Sequence, residues 1–261
     1  MAEMFSNPAA YEAMMGRWSM RLAPLFIEFA RVRDGDTVLD VGCGTGSLVQ
    51  AVANTTRRSK VIGIDPVEPF IEYARSRFAD PRISFESGSA FELPYADASF
   101  DACLSLLVLM LIPKPEKVAS EMYRVTRAGG TVAACTWNAG GSISGALWEE
   151  ATKLDLTAPA ERPKHCNRKG QLAELWRATG FKEVEETALE IETNFSSFDD
   201  YRSPFLAGVG PPGVYVAGLP ADRRKALREA LRKRLLGGQS DAAFSISATA
   251  WAVRGAVPGD S

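Results

Sequence analysis

Histidine is almost missing from this 261-residue chain, which has one, His165. A catalytic or metal-binding cluster built on several imidazoles is therefore excluded. The four cysteines (Cys43, Cys103, Cys135 and Cys166) are scattered and form no C-x-x-C pair, which excludes a zinc ribbon. Their settings, mostly strand and turn patterns, read as reduced, buried thiols rather than a disulfide framework. No excess of either charge sign exists: 30 basic residues face 32 acidic ones, so nucleic acid finds no global footprint. Long apolar runs are lacking too. The longest, Leu104 to Ile112, is interrupted by Ser105 and falls short of the roughly 20 residues that span a bilayer. The N-terminus carries Glu3 and no basic start followed by an apolar stretch, so it does not read as a signal peptide. Internal repeats and low-complexity tracts are not evident. These absences leave a cytoplasmic, enzyme-sized protein with no stable membrane insertion, and a length that allows one domain over 1–261.

What is present centres on Thr37-Val38-Leu39-Asp40-Val41-Gly42-Cys43-Gly44-Thr45-Gly46. A short β-prone run enters a Gly-x-Gly-x-Gly turn, and Ser47 to Ala53 reads as the helix that the turn opens. Glycines there let a ligand approach the main chain, and the helix start offers unpaired N–H groups. A dinucleotide fingerprint would need glycine at position 47, where Ser47 stands. Asp40 lies inside the strand, where it would repel a pyrophosphate and suit a ligand bearing positive charge. Asp65 closes the next strand, Lys60 to Asp65, where a carboxylate can accept both hydroxyls of a ribose. A nicotinamide oxidoreductase is thus disfavoured although it shares the architecture.

The combination of Val38 to Gly46 with Gly63-Ile64-Asp65 resembles the class I S-adenosylmethionine-dependent methyltransferases. Within them it is most similar to the small-molecule branch that includes the ubiquinone/menaquinone methyltransferases. The resemblance covers roughly residues 35–138, and the loop Leu93-Pro94 to Ser99-Phe100-Asp101 follows the family closely. It implies S-adenosyl-L-methionine as cofactor, held by Asp40, Gly42, Cys43, Gly44, Thr45, Gly46, Asp65 and Pro66. Ser89 stands where relatives commonly carry an acid for the adenine amino group, with Ala90 and Phe91 beside it and Leu106 at the end of the fourth strand. The N-terminal helices often fold over the cofactor in this family, which would bring Tyr11, Arg17 and Trp18 near the methionine end or the acceptor. The same aromatics also suit plain core packing.

The implied fold is α/β, a Rossmann-like sheet of seven mostly parallel strands with an antiparallel last strand and helices on both faces. Residues 1–33 would form a helical lid, from Tyr11 to Met20 and from Ala23 to Val32, with Pro24 in the first turn of the second helix. Residues 34–138 would form the cofactor-binding core, its fifth strand Thr131 to Thr136 delivering Trp137. Two departures from β/α alternation, 139–166 and 196–242, read as substrate-side insertions. Helical spacing covers Glu68 to Ala79, Glu116 to Thr126 and Leu172 to Thr179, while Val184 to Thr193 and Phe244 to Val253 read as strands. The second insertion begins as an aromatic loop amid Gly208, Gly210, Pro211, Pro212 and Gly213, expected to be mobile. Arg223 to about Leu236 then reads as an amphipathic surface helix capped by Asp222.

The expected acceptor is a small, apolar or aromatic molecule, bound by Tyr11, Trp18, Met110, Trp137, Phe198, Tyr201, Phe205 and Tyr215. No catalytic base is assigned: Met110 and Leu111 stand where relatives often place histidine, and His165 sits in a polar connector, Arg162 to Arg168. Neither nucleic acid nor a metal is expected as a ligand. Two alternatives share the cofactor: a regulatory protein that binds it without chemistry, and a methyltransferase acting on macromolecules. Against the latter, Ser105-Leu106-Leu107-Val108 lacks the Asn/Asp-Pro-Pro-aromatic box of amino-group DNA methylation.

Overall fold

A computed structural model describes residues 8–139, 141, 143–154, 165–208, 210–239 and 241–259. Seven strands form one sheet: β1 (Thr37–Val41), β2 (Lys60–Asp65), β3 (Ile83–Ser87), β4 (Phe100–Leu106), β5 (Thr126–Trp137), β6 (Lys182–Phe195) and β7 (Phe244–Ala256). Their order is β3-β2-β1-β4-β5-β7-β6. The first five run parallel, and β7 is inserted antiparallel between β5 and β6. The expected Rossmann-like fold with an antiparallel last strand is therefore what the chain adopts.

Alternation along the strands sorts the core into two layers. Val38, Ala102, Leu104, Ala133 and Cys135 face one layer with Leu22, Phe26, Val49 and Ile71. Leu39, Cys103, Val132 and Ala134 face the other with Val118, Met122, Leu172 and Trp176. Those helical residues belong to α2 (Arg17–Ala30), α3 (Ser47–Thr55), α4 (Glu68–Arg77), α5 (Pro115–Val125) and α7 (Gln171–Thr179). All four cysteines are free and buried. No helix among the described residues is long and apolar enough to cross a membrane.

Several boundaries differ from the sequence expectations. A short helix α1 (Pro8–Tyr11) and a π-helical turn (Glu12–Gly16) run straight into α2, which contains Pro24 instead of starting there. Burial of Trp18, Leu22, Ala23, Phe26, Ile27 and Ala30 along one face outweighs the hydrogen bond that Pro24 cannot donate. Helix α5 stops at Val125, and Gly129 and Gly130 lie within the irregular start of β5, where the pairing with β4 shifts register. The stretch 198–218, read as a mobile loop, is two helices, α8 (Phe198–Leu206) and α9 (Gly210–Gly218). Ser197 caps the first by accepting the Asp200 N–H at 3.1 Å. The first insertion contains α6 (Gly145–Leu154), while residues 155–164 of it lie outside the described ones. Helix α10 (Ala221–Leu236) begins before Asp222, which sits in its first turn instead of capping it.

Candidate functional site

The glycine turn sits at the carboxyl end of β1 and is pinned to its neighbour strand. Gly42 N–H and Cys43 N–H both donate to Ile64 O, at 2.8 and 3.1 Å. Gly46 has φ of +89°, and a Cβ there would stand 2.8 Å from Phe78 and 2.9 Å from Phe85, so both backbone and space demand glycine. Gly44 has φ of +53°, and a Cβ built on it would meet only the ring of Tyr11, at 3.7 Å. The turn is thus approached on its open side by an aromatic from α1.

Two carboxylates flank the turn in different states. Asp65 is paired: Oδ2 accepts Gly44 N–H at 3.0 Å and Oδ1 accepts Val67 N–H at 2.9 Å. Burial raises its pKa, partly offset by these two bonds. Asp40 is 2% exposed and neither of its oxygens has a hydrogen-bond partner. Burial, and then the charge of Asp65, push its carboxyl well above the usual carboxylate range. Burial followed by the same two carboxylates raises the Cys43 thiol, which keeps it from acting as a thiolate.

The segment before α2 closes over this end of the sheet. Glu12 accepts the Thr45 hydroxyl at 2.6 Å and pairs with Arg77 at 3.1 Å. Tyr11 packs on Phe70 with ring centroids 4.8 Å apart. Burial above all, then the Asp65 and Glu12 charges, keep the Tyr11 phenol protonated.

Tyr11 also lines a cavity of about 110 Å³. Tyr11, Trp18, Met110, Trp137, Tyr201 and Phe205 line it, which brings together six of the eight residues expected at the acceptor. Phe198 and Tyr215 do not line it. Phe198 is 1% exposed and packs inward from α8, and Tyr215 packs on Trp148 at 5.3 Å; the helical form of 198–218 turns both into core. Arg17, expected near the methionine end of the cofactor or the acceptor, lines the cavity and pairs with Asp200 of α8 at 3.0 Å. Its guanidinium stands 5.5 Å from the ring centre of Phe195. No carboxylate, histidine or lysine is among the described lining residues.

Other expected residues stand apart from the cavity. Pro66 is exposed beside Asp65, at the mouth of the turn. Ser89 is exposed and its hydroxyl accepts Phe91 N–H at 3.2 Å, so its own loop uses the group expected to meet an adenine. Ala90 and Phe91 pack against the α5 and α7 side of the core, whereas Leu106 packs on the opposite side. His165 is exposed.

Among the lining residues, Asn167 and Phe195 escaped the sequence reading. Phe195 could have been found, since alternation in β6 continues two residues beyond Thr193. Asn167 carries no periodic signal.

Residues 39–134 match the family described as a methyltransferase domain. An uncharacterized protein of Mycobacterium tuberculosis is 30% identical over 211 residues, 76% of each chain. A demethylmenaquinone methyltransferase of Symbiobacterium thermophilum is 33% identical over 139 residues, 49% of this chain and 55% of its own. A bifunctional biotin biosynthesis protein of Teredinibacter turnerae is 29% identical over 147 residues, 52% of this chain but only 26% of its own. The chain thus spans from a quarter to three quarters of the length of these relatives. Among solved structures, a phosphoethanolamine N-methyltransferase of Haemonchus contortus in complex with S-adenosyl-L-methionine superposes with a TM-score of 0.61 at 20% identity. That match covers 98% of this chain and 57% of the other. The chain belongs to the S-adenosylmethionine-dependent methyltransferases.

Proposed function

We propose that this protein transfers a methyl group from S-adenosylmethionine to a small, largely apolar or aromatic molecule held in the cavity beside Tyr11. The observation that carries the reading is that cavity itself, walled by Trp18, Met110, Trp137, Tyr201 and Phe205 and sharing Tyr11 with the glycine turn. The residues around the turn fit the family's cofactor. Asp40 is a buried carboxylate with both oxygens unpaired, the partner that a cationic amino group requires. Gly44 leaves the main chain open, and the Asp65 oxygens retain lone pairs for hydroxyls beyond their two backbone bonds.

Bound S-adenosylmethionine supplies a methyl already activated by its sulfonium, so the protein's task is alignment and exclusion of water. Tyr11 forms the shared wall, and with its phenol protonated it does not serve as a base. Glu12, bonded to Thr45 and Arg77, ties the N-terminal segment down over the turn. Arg17 and Asp200 tie the same segment to α8 across the cavity. With no carboxylate or histidine among the described lining residues, the acceptor must be nucleophilic without a strong protein base. A relative named demethylmenaquinone methyltransferase points to the same class of acceptor.

The test couples S-adenosylhomocysteine release to a panel of phenols, quinols and heteroaromatic amines, with bulk tRNA and protein as controls. At least one small molecule should turn over. With it, Trp137→Ala should lower kcat/KM at least tenfold, about 1.4 kcal/mol, and leave S-adenosylhomocysteine affinity within about twofold. Turnover with tRNA or protein alone, or unchanged kinetics in the Trp137 variant, would overturn the assignment.

A further inference from the structure

Asn167 lies in the connector before α7, two residues beyond the solitary histidine, and it lines the cavity. It is 5% exposed, and its side-chain Oδ1 is buried with no hydrogen-bond partner. A buried polar acceptor left unpaired is costly, so something on the open side must compensate for it.

The backbone around it is held on every side. Asn167 N–H donates to Gln171 Oε1 at 3.0 Å, and its carbonyl accepts Ala139 N–H at 2.7 Å. Cys166 adopts a left-handed φ of +64°, and its carbonyl accepts the Thr136 hydroxyl. A non-glycine residue in that region is strained, and the surrounding bonds hold it there. The net effect is a backbone held in place at a residue that lines the cavity and carries a buried, unsatisfied side-chain oxygen.

Other polar groups of the wall are already engaged. Arg17 pairs with Asp200 at 3.0 Å, the Tyr201 hydroxyl donates to Ile143 O at 3.2 Å, and Asn138 Oδ1 accepts Trp251 Nε1 at 3.0 Å. An anion would face the lone pairs of Oδ1, and Arg17 is already neutralised by Asp200. An ammonium would find no carboxylate among the described lining residues. A neutral donor suits the site.

We propose that Asn167 selects the acceptor: its side-chain carbonyl accepts a hydrogen bond from a neutral hydroxyl or amine N–H on an otherwise apolar molecule. This rests on reading the cavity as the acceptor site. In the free protein Oδ1 is unpaired, so a ligand that brings a donor gains a bond, and one without a donor leaves the oxygen unsatisfied. Discrimination between a hydroxyl and its methyl ether on one ring frame is the signature.

The experiment is calorimetry on the full chain saturated with S-adenosylhomocysteine, using 2-naphthol and 2-methoxynaphthalene as probes. Wild type should bind the naphthol about tenfold more tightly or better, equivalent to about 1.4 kcal/mol. In Asn167→Leu and Asn167→Ala the preference should fall below about twofold, with S-adenosylhomocysteine affinity unchanged as proof of an intact fold. A wild type that binds both probes without preference overturns the assignment to Asn167 and leaves the apolar cavity standing. A preference that survives in either variant overturns that assignment as well. Failure of both probes to bind overturns the apolar-acceptor reading, and this proposal with it. Should neither variant bind S-adenosylhomocysteine, the two probes on wild type decide.

Discussion

Replacing Asp40 by Asn should stabilise the ligand-free protein and weaken the cofactor, two effects of opposite sign from one substitution. The side chain is 2% exposed, its oxygens are unpaired, and Asp65 adds repulsion. Because burial and that repulsion raise the native pKa, the folded chain holds a proton that the unfolded chain releases near pH 4 (about 3.9). The stability this proton contributes is full below the unfolded value and is lost as pH rises through the folded one. At pH 8 the native state bears either a weakly held proton or an unsolvated charge, a cost of about 1–3 kcal/mol. Asparagine keeps the shape and removes the charge, but its amide inherits part of the unpaired cost. A net gain of about 1 kcal/mol remains, or roughly 2–4 °C in a chain of this size. That gain should shrink as pH falls toward about 4, the unfolded carboxyl value. Affinity moves the other way, since a charge-assisted bond of about 1.5–3 kcal/mol is lost, weakening S-adenosylhomocysteine by roughly 10- to 150-fold. Scanning calorimetry at pH 5 and pH 8 with titration calorimetry reads both. A variant less stable at pH 8, with affinity unchanged, would make Asp40 a support for the turn and refute the reasoning.

Gly46→Ala should cost roughly 2–5 kcal/mol, the left-handed backbone and two ring clashes together, measurable as a lower urea midpoint; a shift under about 1 kcal/mol would mean the rings move aside. His165→Ala should leave kcat within about threefold for any acceptor found, because the side chain is exposed and does not line the cavity. A loss near 100-fold, the scale of a missing general base, would contradict that. Thr193 carries a buried hydroxyl without a partner and does not line the cavity, so Thr193→Val should raise stability by about 1 kcal/mol in denaturant titration. Destabilisation would show that the hydroxyl has a use.

The sheet was legible because its strands carry their own pattern. Val38, Leu39 and Val41, the glycine turn and Asp65 define β1 and β2 with almost no help from tertiary context. The same holds for the antiparallel β7, whose alternation from Phe244 onward is set by one wet and one packed face. Legibility failed where local composition and burial disagree. Gly208 and the Gly-Pro-Pro-Gly of 210–213 read as loop, yet burial of Phe198, Tyr201, Phe205 and Val216 keeps α8 and α9 helical. The one local clue was Ser197 three residues before Asp200, whose Oδ2 also accepts Ser196 N–H at 3.0 Å, a capping arrangement. Pro24 misled for the same reason, as a buried face carried α2 through it. Asn167 could not be found from sequence at all. Its significance lies in an absent hydrogen bond, which only the folded surroundings define.

Among the described residues, three side chains keep buried polar atoms without a partner: Asp40, Asn167 and Thr193. An unpaired group alone does not make a site, and Thr193 shows the difference, because it does not line the cavity. Asp40 lies in β1 just before the glycine turn, and Asn167 lines the cavity, with Tyr11 touching the turn and lining the cavity. Their chemistry differs. A carboxylate flanked by a second carboxylate calls for a cation, whereas a lone amide carbonyl in an apolar wall calls for a neutral donor. Ligands exchanged between the two positions would leave a charge buried in the cavity and an uncompensated carboxylate at the turn, a combined penalty of several kcal/mol. The polarity of the site therefore orders its two ligands before any contact with the reacting atoms. With its phenol held protonated, Tyr11, which touches the turn and lines the cavity, takes no proton from either ligand.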